Sequence, residues 1–255
     1  MKTRILLAGL ATSALVANSA YAASITTSNI QSFQPTSSFD GTNYAAGVVD
    51  KLVVIVAGEH NFGGSTDGQI TSITYGGVNL LNAVDRNPVD GSNTTVADIW
   101  YLDNPAAAGV LDATVGGNGN NYVYTVLGLT GTVDGVGATA ISAVNSKSVD
   151  LNALGSDSLV ITSHAMGGDG NTANVGSVTA PGSEIASLEA GNNFAGHVVG
   201  VTNGVGAGNA TYSYTGGSTG GVVTIAAEFQ AVPEPGSLAL LGLGGLMIAS
   251  RRRRG

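Results

Sequence analysis

Short runs rich in Val, Ile, Thr and Tyr recur from Lys51 to Phe229, and clusters of Gly, Asn, Asp and Ser separate each run from the next. Runs this short, built from β-branched and aromatic residues and closed by turn formers, predict strands rather than helices. They fall at Lys51–Ala57, Ile70–Tyr75, Val96–Leu102, Leu111–Val115, Tyr122–Leu129 and Ala138–Val144. The others are Ser158–His164, Ile185–Leu188, Ala195–Thr202, Ala210–Tyr214 and Val222–Phe229. Several alternate with period two. Ile70, Ser72 and Thr74 face one way and Thr71, Ile73 and Tyr75 the other, while Asp98, Trp100 and Leu102 oppose Ile99 and Tyr101. Glycine pairs such as Gly76-Gly77 and Gly216-Gly217 supply the positive φ of tight turns between runs. The pattern predicts an all-β fold, an antiparallel β-sandwich of jelly-roll type, with a closed barrel as the alternative. Aromatic residues are too sparse for the girdles of an outer-membrane barrel. Dense apolar runs such as Leu52–Val56 need burial, which argues against a disordered chain. No fixed-period sequence repeat is visible.

The two ends follow different rules. Lys2 and Arg4 precede an apolar stretch from Ile5 to Val16, and Ala20-Tyr21-Ala22 follows with the small residues a signal peptidase needs. Residues 1–22 therefore read as a cleaved signal peptide, with Ala20 and Ala22 before the cut and Ala23 after it. Residues 23–231 form the secreted β-sandwich domain, and 232–255 a separate C-terminal segment. In that segment Val232, Pro233, Glu234 and Pro235 precede an uncharged apolar stretch at 237–250, and Arg251, Arg252, Arg253 and Arg254 follow it. The stretch predicts a short transmembrane helix. It falls short of a standard bilayer core of about 30 Å, so it needs local thinning or stretched flanks. Arginines beyond the apolar stretch favour the cytoplasmic side, which leaves the body outside.

These C-terminal residues, in this order, resemble the PEP-CTERM sorting signal of Gram-negative bacteria. The resemblance implies that an exosortase, a membrane protease, cuts near Pro233–Pro235 after transient insertion in the inner membrane. It also implies release to the cell surface or into an exopolysaccharide matrix, often in biofilm-forming species. With the signal peptide, the implied partners are the Sec translocon, signal peptidase, the exosortase and exopolysaccharide. Pro233 and Pro235 suit the site physically, because proline forbids helix and holds an extended segment that a protease can enter. The body from Asp50 to Phe229 is similar, more loosely, to jelly-roll modules of bacterial secreted proteins. The similarity rests on Ile70–Val78, Ile99–Leu102, Asn104-Pro105 through Gly109, and the closing Val222–Phe229 run. It implies a fold and no ligand.

Charge sharpens once the ends are set aside. The body retains Lys51, Arg86 and Lys147 against 16 of the chain's 17 acids, a net charge near −13. Such a surface repels nucleic acid and anionic lipid, so a nucleic-acid partner is excluded. With no cysteine, the chain has neither disulfides nor thiolate metal sites.

The chemistry-bearing residues are few. His60, His164 and His197 belong to no His-Glu-x-x-His pattern, and no Gly-x-Ser-x-Gly elbow occurs. No catalytic residue is assigned, and an extracellular hydrolase is the third functional alternative. No cofactor is expected; the candidate ion is calcium, at Asp85 and Asp90, near Asn87 and Asn93, or at Asp169, near Asn171 and Asn174. Hard cations take such oxygen ligands, but turns select Asp and Asn for conformational reasons alone. Trp100, Tyr122 and Tyr124 are the candidates for stacking on sugar rings, against the commoner role of aromatics in a sandwich core. The expected function is a non-enzymatic surface or matrix protein with a structural or adhesive role, and a carbohydrate-binding module is the alternative.

Overall fold

The computed structural model describes residues 24–34, 41–59, 69–86, 95–116, 121–143, 145–155, 157–167, 176–179, 181–189, 195–215 and 221–233. The signal peptide and the apolar stretch at 237–250 lie outside them. The first strands are β1 (Thr26–Phe33), β2 (Thr42–Tyr44), β3 (Lys51–Glu59), β4 (Ile70–Tyr75), β5 (Val78–Asn79) and β6 (Leu81–Arg86). Next come β7 (Thr95–Asp103), β8 (Gly109–Val115), β9 (Asn121–Thr130), β10 (Thr139–Ile141), β11 (Ser148–Leu154) and β12 (Ser158–Gly167). The series closes with β13 (Ser177–Val178), β14 (Ser183–Glu189), β15 (Ala195–Val205), β16 (Gly208–Thr215) and β17 (Val222–Phe229). Each of the eleven predicted runs coincides with or overlaps one of these strands. The runs missed are β1, β2, β5, β6, β11 and β13, which are short or polar.

The strands build four antiparallel sheets that pack as sandwiches within one unit, Ala22–Val232. In the first half an inner sheet runs β1-β9-β3-β7-β6 and an outer sheet β2-β8-β4-β5. The second half has an inner sheet β10-β17-β12-β15-β14 and an outer sheet β11-β16-β13. Strand for strand, the two orders are the same. β1, β9, β3, β7 and β6 correspond to β10, β17, β12, β15 and β14, and β2, β8 and β4 to β11, β16 and β13. The described body is thus a structural duplication that no period in the sequence discloses.

Three apolar layers arise from this stacking. Val53, Ile55 and Leu127 of the first half meet Ile161, Ile225 and Phe229 of the second, between the two inner sheets. Leu52, Val54 and Val56 point the other way, onto Ile73, Tyr75 and Leu111 of the outer sheet. In the second half Val160 and Ala226 pack on Val149, Leu151 and Tyr212. The inner sheets are therefore covered on both faces. Every residue of β3, β12 and β17 is buried. This double covering explains why those strands read as unbroken apolar runs rather than as alternation.

Where alternation was expected, the structure corrects its phase. On β4 the register shifts between Ile70 and Ser72. The irregularity lets Ile70 join Ile73 and Tyr75 among the buried residues, a re-aiming that β-bulges commonly produce. On β7 the predicted opposition holds, with Trp100 and Leu102 on one face and Ile99 and Tyr101 on the other.

Polar contacts tie the halves together across the apolar interface. The Thr95 hydroxyl accepts from the Gly167 N–H at 3.1 Å and donates to the Gly221 carbonyl. Gly58, in turn, sits opposite Tyr122 in the ladder. A Cβ at Gly58 would overlap the edge of the Tyr122 ring. Gly58→Ala should therefore destabilise the fold by about 1–3 kcal/mol, the usual effect of overpacking. A thermal melt checks this, and an unchanged midpoint would mean that the ring yields freely.

Candidate functional site

The sorting segment begins where the last central strand ends. β17 lies between β10 and β12, and its final residue, Phe229, is fully buried. Beyond it the chain is held by residues 131–133. The Val133 N–H donates to the Gln230 carbonyl at 3.0 Å, and the Val232 N–H to the Gly131 carbonyl at 2.9 Å. Thr132 and Ala231 form an antiparallel bridge. Asp50 steadies this clamp, its Oδ2 accepting from the N–H groups of Gly131 at 2.5 Å and Thr132 at 3.3 Å. Ala231 is the last covered of the described residues; Val232 is 40 % exposed, and Pro233 is exposed. Proline has no N–H to continue the ladder, so pairing stops there for a chemical reason. Glu234, Pro235 and Arg251 to Arg254 lie outside the described residues, as do Ala20, Ala22 and Ala23. Among the described residues no helix is long and apolar enough to cross a membrane.

Trp100, Tyr122 and Tyr124 are core residues and present no face to a sugar. Trp100 is 7 % exposed, and both tyrosines are fully buried between the inner and outer sheets of the first half. The two tyrosine rings lie 6.1 Å apart, tilted by 37°. The expectation of a stacking platform failed because β7 and β9 belong to a sheet covered on both faces. Neither phase of the alternation there reaches solvent. Burial, with the carboxylate of Asp98 adding to it, pushes the Tyr122 phenol above its ordinary range.

Asp85 is exposed on β6, opposite Asp98 in the ladder. Asp90, Asp169 and the asparagines named with them lie outside the described residues. Among the described residues no three His, Asp or Glu side chains come together as a metal site.

His60 also lies outside the described residues. The other two histidines are completely buried. His197 Nε2 meets the Thr125 hydroxyl at 2.8 Å, across the interface between the halves, and Thr125 contacts the Ser32 hydroxyl at 3.1 Å. His164 Nδ1 meets Thr224 at 3.0 Å, and its ring stacks on Tyr214 at 4.9 Å. Burial pushes His197 down to about 3. Burial, aided by the charge of Lys147, lowers His164 to about 4. Both rings are therefore neutral at ordinary pH, and the groups that meet their nitrogens in these contacts are hydroxyls.

Two charged groups escaped the sequence reading. Lys51 and Glu228 are fully buried, in β3 and β17. The only signal available was their place at the margins of strongly apolar runs, where a solvated charge is the ordinary expectation.

Comparison with known proteins bears on the C-terminus alone. A family model described as the PEP-CTERM protein-sorting motif matches residues 231–254. No curated protein and no solved structure matches the chain. The chain carries this motif, and the motif implies an exported, cell-surface-associated protein sorted by an exosortase.

Proposed function

We propose that this exosortase-sorted protein is a structural or adhesive component of the cell surface or exopolysaccharide matrix, without enzymatic activity. The observation that carries the reading is the position of the motif. It begins at residue 231, two residues beyond the buried end of β17. A folded body that ends in a clamped strand withholds that strand up to Ala231 from the protease and leaves Val232 and Pro233 exposed to it.

The proposed sequence of events has three steps. Sec export removes the signal peptide between Ala22 and Ala23. The apolar stretch at 237–250 then holds the body outside the inner membrane, with Arg251–Arg254 on the cytoplasmic side. Cleavage near Pro233–Pro235 frees the body. We also read each half as a jelly roll. The order β1-β9-β3-β7 facing β2-β8-β4-β5, repeated as β10-β17-β12-β15 facing β11-β16-β13, supports this. A doubled sandwich with three stacked apolar layers suits a load-bearing or spacing role. Its acidic surface would keep it from settling on anionic lipid.

Replacing Pro233, Glu234 and Pro235 together by alanine tests the sorting step. The expected result is a larger, membrane-retained form in place of a shortened form in the surface or medium fraction. Unchanged size and location would sink the sorting reading. Deleting the gene tests the role itself: the expected result is a change in matrix composition and in the mechanical strength of the biofilm.

A further inference from the structure

Lys51 opens β3 directly opposite Asp103 of β7. Its side chain is 1 % exposed and its amine contacts Asp103 Oδ1. The amine also lies over the rings of Tyr101, 4.8 Å from the centroid, and Phe229, at 5.9 Å. The second oxygen of Asp103, Oδ2, accepts from the Gly135 N–H at 2.9 Å. Next to Gly135, Asp134 bears electrostatically on Lys51, and its Oδ1 lies 3.4 Å from the Asn104 amide. Burial lowers the Lys51 amine to about 8, with Asp134 and Asp50 opposing the shift. A buried ammonium is costly unless well paired, and here two aromatic rings replace its water.

We propose that Lys51 and Asp103 condense after folding into an intramolecular isopeptide bond between Nζ and Cγ, with release of water. Nucleophile, electrophile and oxyanion donor are in contact, and Asp134, which bears electrostatically on Lys51, is assigned the proton transfer. Proton transfer from the ammonium to carboxylate leaves a neutral amine whose lone pair attacks Asp103 Cγ, and the Nζ–Cγ bond forms. The Gly135 N–H holds the oxygen on which negative charge develops. Asp134 carries the proton from nitrogen to the departing hydroxyl, the Cγ–O bond breaks, and water leaves. One ammonium and one carboxylate become one amide and one water, with no change of oxidation state. Lost with them is a buried ion pair, so exclusion of water favours the amide. The bond spans 52 positions of sequence and closes that loop in a chain without cysteine. It lies beside Phe229 at the seam of the two halves.

The test is peptide mass spectrometry of the full chain, digested after denaturation. The expected product is a branched peptide joining the segments that contain Lys51 and Asp103, lighter than their sum by about 18 Da, one water. In Asp103→Asn the same branched product should form with loss of ammonia, about 17 Da. Lys51→Met and Asp103→Ala should give linear peptides only, and Asp134→Ala a mixture. A full yield of branched product in Asp134→Ala would remove Asp134 from the mechanism. Should a variant fail to fold, the wild-type digest alone decides. Linear Lys51 and Asp103 peptides from folded wild-type protein would overturn the proposal, as would a water loss confined to the Asp103 peptide, which marks a succinimide.

Discussion

Acidification from pH 7 to pH 5 should lower the stability of the folded body by about 4 kcal/mol through its two buried histidines. In the unfolded chain each takes a proton near pH 6.5. In the folded protein burial holds His197 down to about 3 and His164 down to about 4. Above about pH 6.5 neither state binds the extra proton, so this contribution is fully present and flat. Between there and the folded values, the unfolded chain binds more protons than the native one. Unfolding free energy then falls by about 1.4 kcal/mol per pH unit for each histidine. The loss stops growing once pH drops below the folded values. Urea denaturation at a series of pH values reads the slope. His197→Gln, which keeps a polar group for Thr125 but cannot titrate, should remove about half of it between pH 6.5 and 5. An unchanged slope in that variant would rule out His197 as the source.

Glu228→Ala should cost about 3–5 kcal/mol, a large share of the stability of an ordinary domain. The Glu228 carboxylate is fully buried in β17. It accepts from the Ala138 N–H at 2.8 Å, the Gly155 N–H at 2.6 Å and the Ser158 hydroxyl. These donors belong to the entry to β10, the turn after β11 and the start of β12. One side chain therefore pins three segments to the strand that leads into the sorting motif. Truncation strips two part-buried backbone N–H groups of this acceptor, leaves the Ser158 hydroxyl only the Gly155 carbonyl at 3.3 Å, and adds a cavity. Glu228→Gln keeps one carbonyl oxygen but turns N–H groups toward donors, so it should recover only part of the loss. Glu184→Ala, on the exposed side of β14, should stay within about 0.5 kcal/mol and serves as the control. Denaturation midpoints decide. A loss at Glu228 no larger than at Glu184 would show that water or backbone adjustment replaces the carboxylate.

Strand positions were legible because their cause is local. β3, β4, β7, β9, β12 and β17 are β-branched runs closed by turn residues, and both properties are carried by the residues themselves. β1 escaped because Thr26–Phe33 is mostly Thr, Ser, Asn and Gln, the composition an edge strand tolerates and a loop shares. β6 and β11 escaped because Asn and Asp interrupt their apolar residues, as an edge strand and a strand of a thin outer sheet tolerate. The candidate sugar-binding aromatics were misplaced by a different route. Alternation identifies two faces of a strand, but it cannot say whether one or both faces are covered.

The sequence alone determined the all-β class, most strand positions and the C-terminal address. That address is legible because a sorting protease reads an extended peptide, with its prolines, apolar stretch and arginines in linear order. Tertiary structure decided the duplication, the double covering of the inner sheets and the burial of Trp100, Tyr122 and Tyr124. It alone placed Lys51 against Asp103 and Phe229, and Glu228 against Ala138, Gly155 and Ser158. The physical reason is separation along the chain. The partners of Lys51 and Glu228 lie tens of residues away: strand pairing within a sheet brings Lys51 to Asp103 and Glu228 to the starts of β10 and β12, and the stacking of one half on the other adds Phe229.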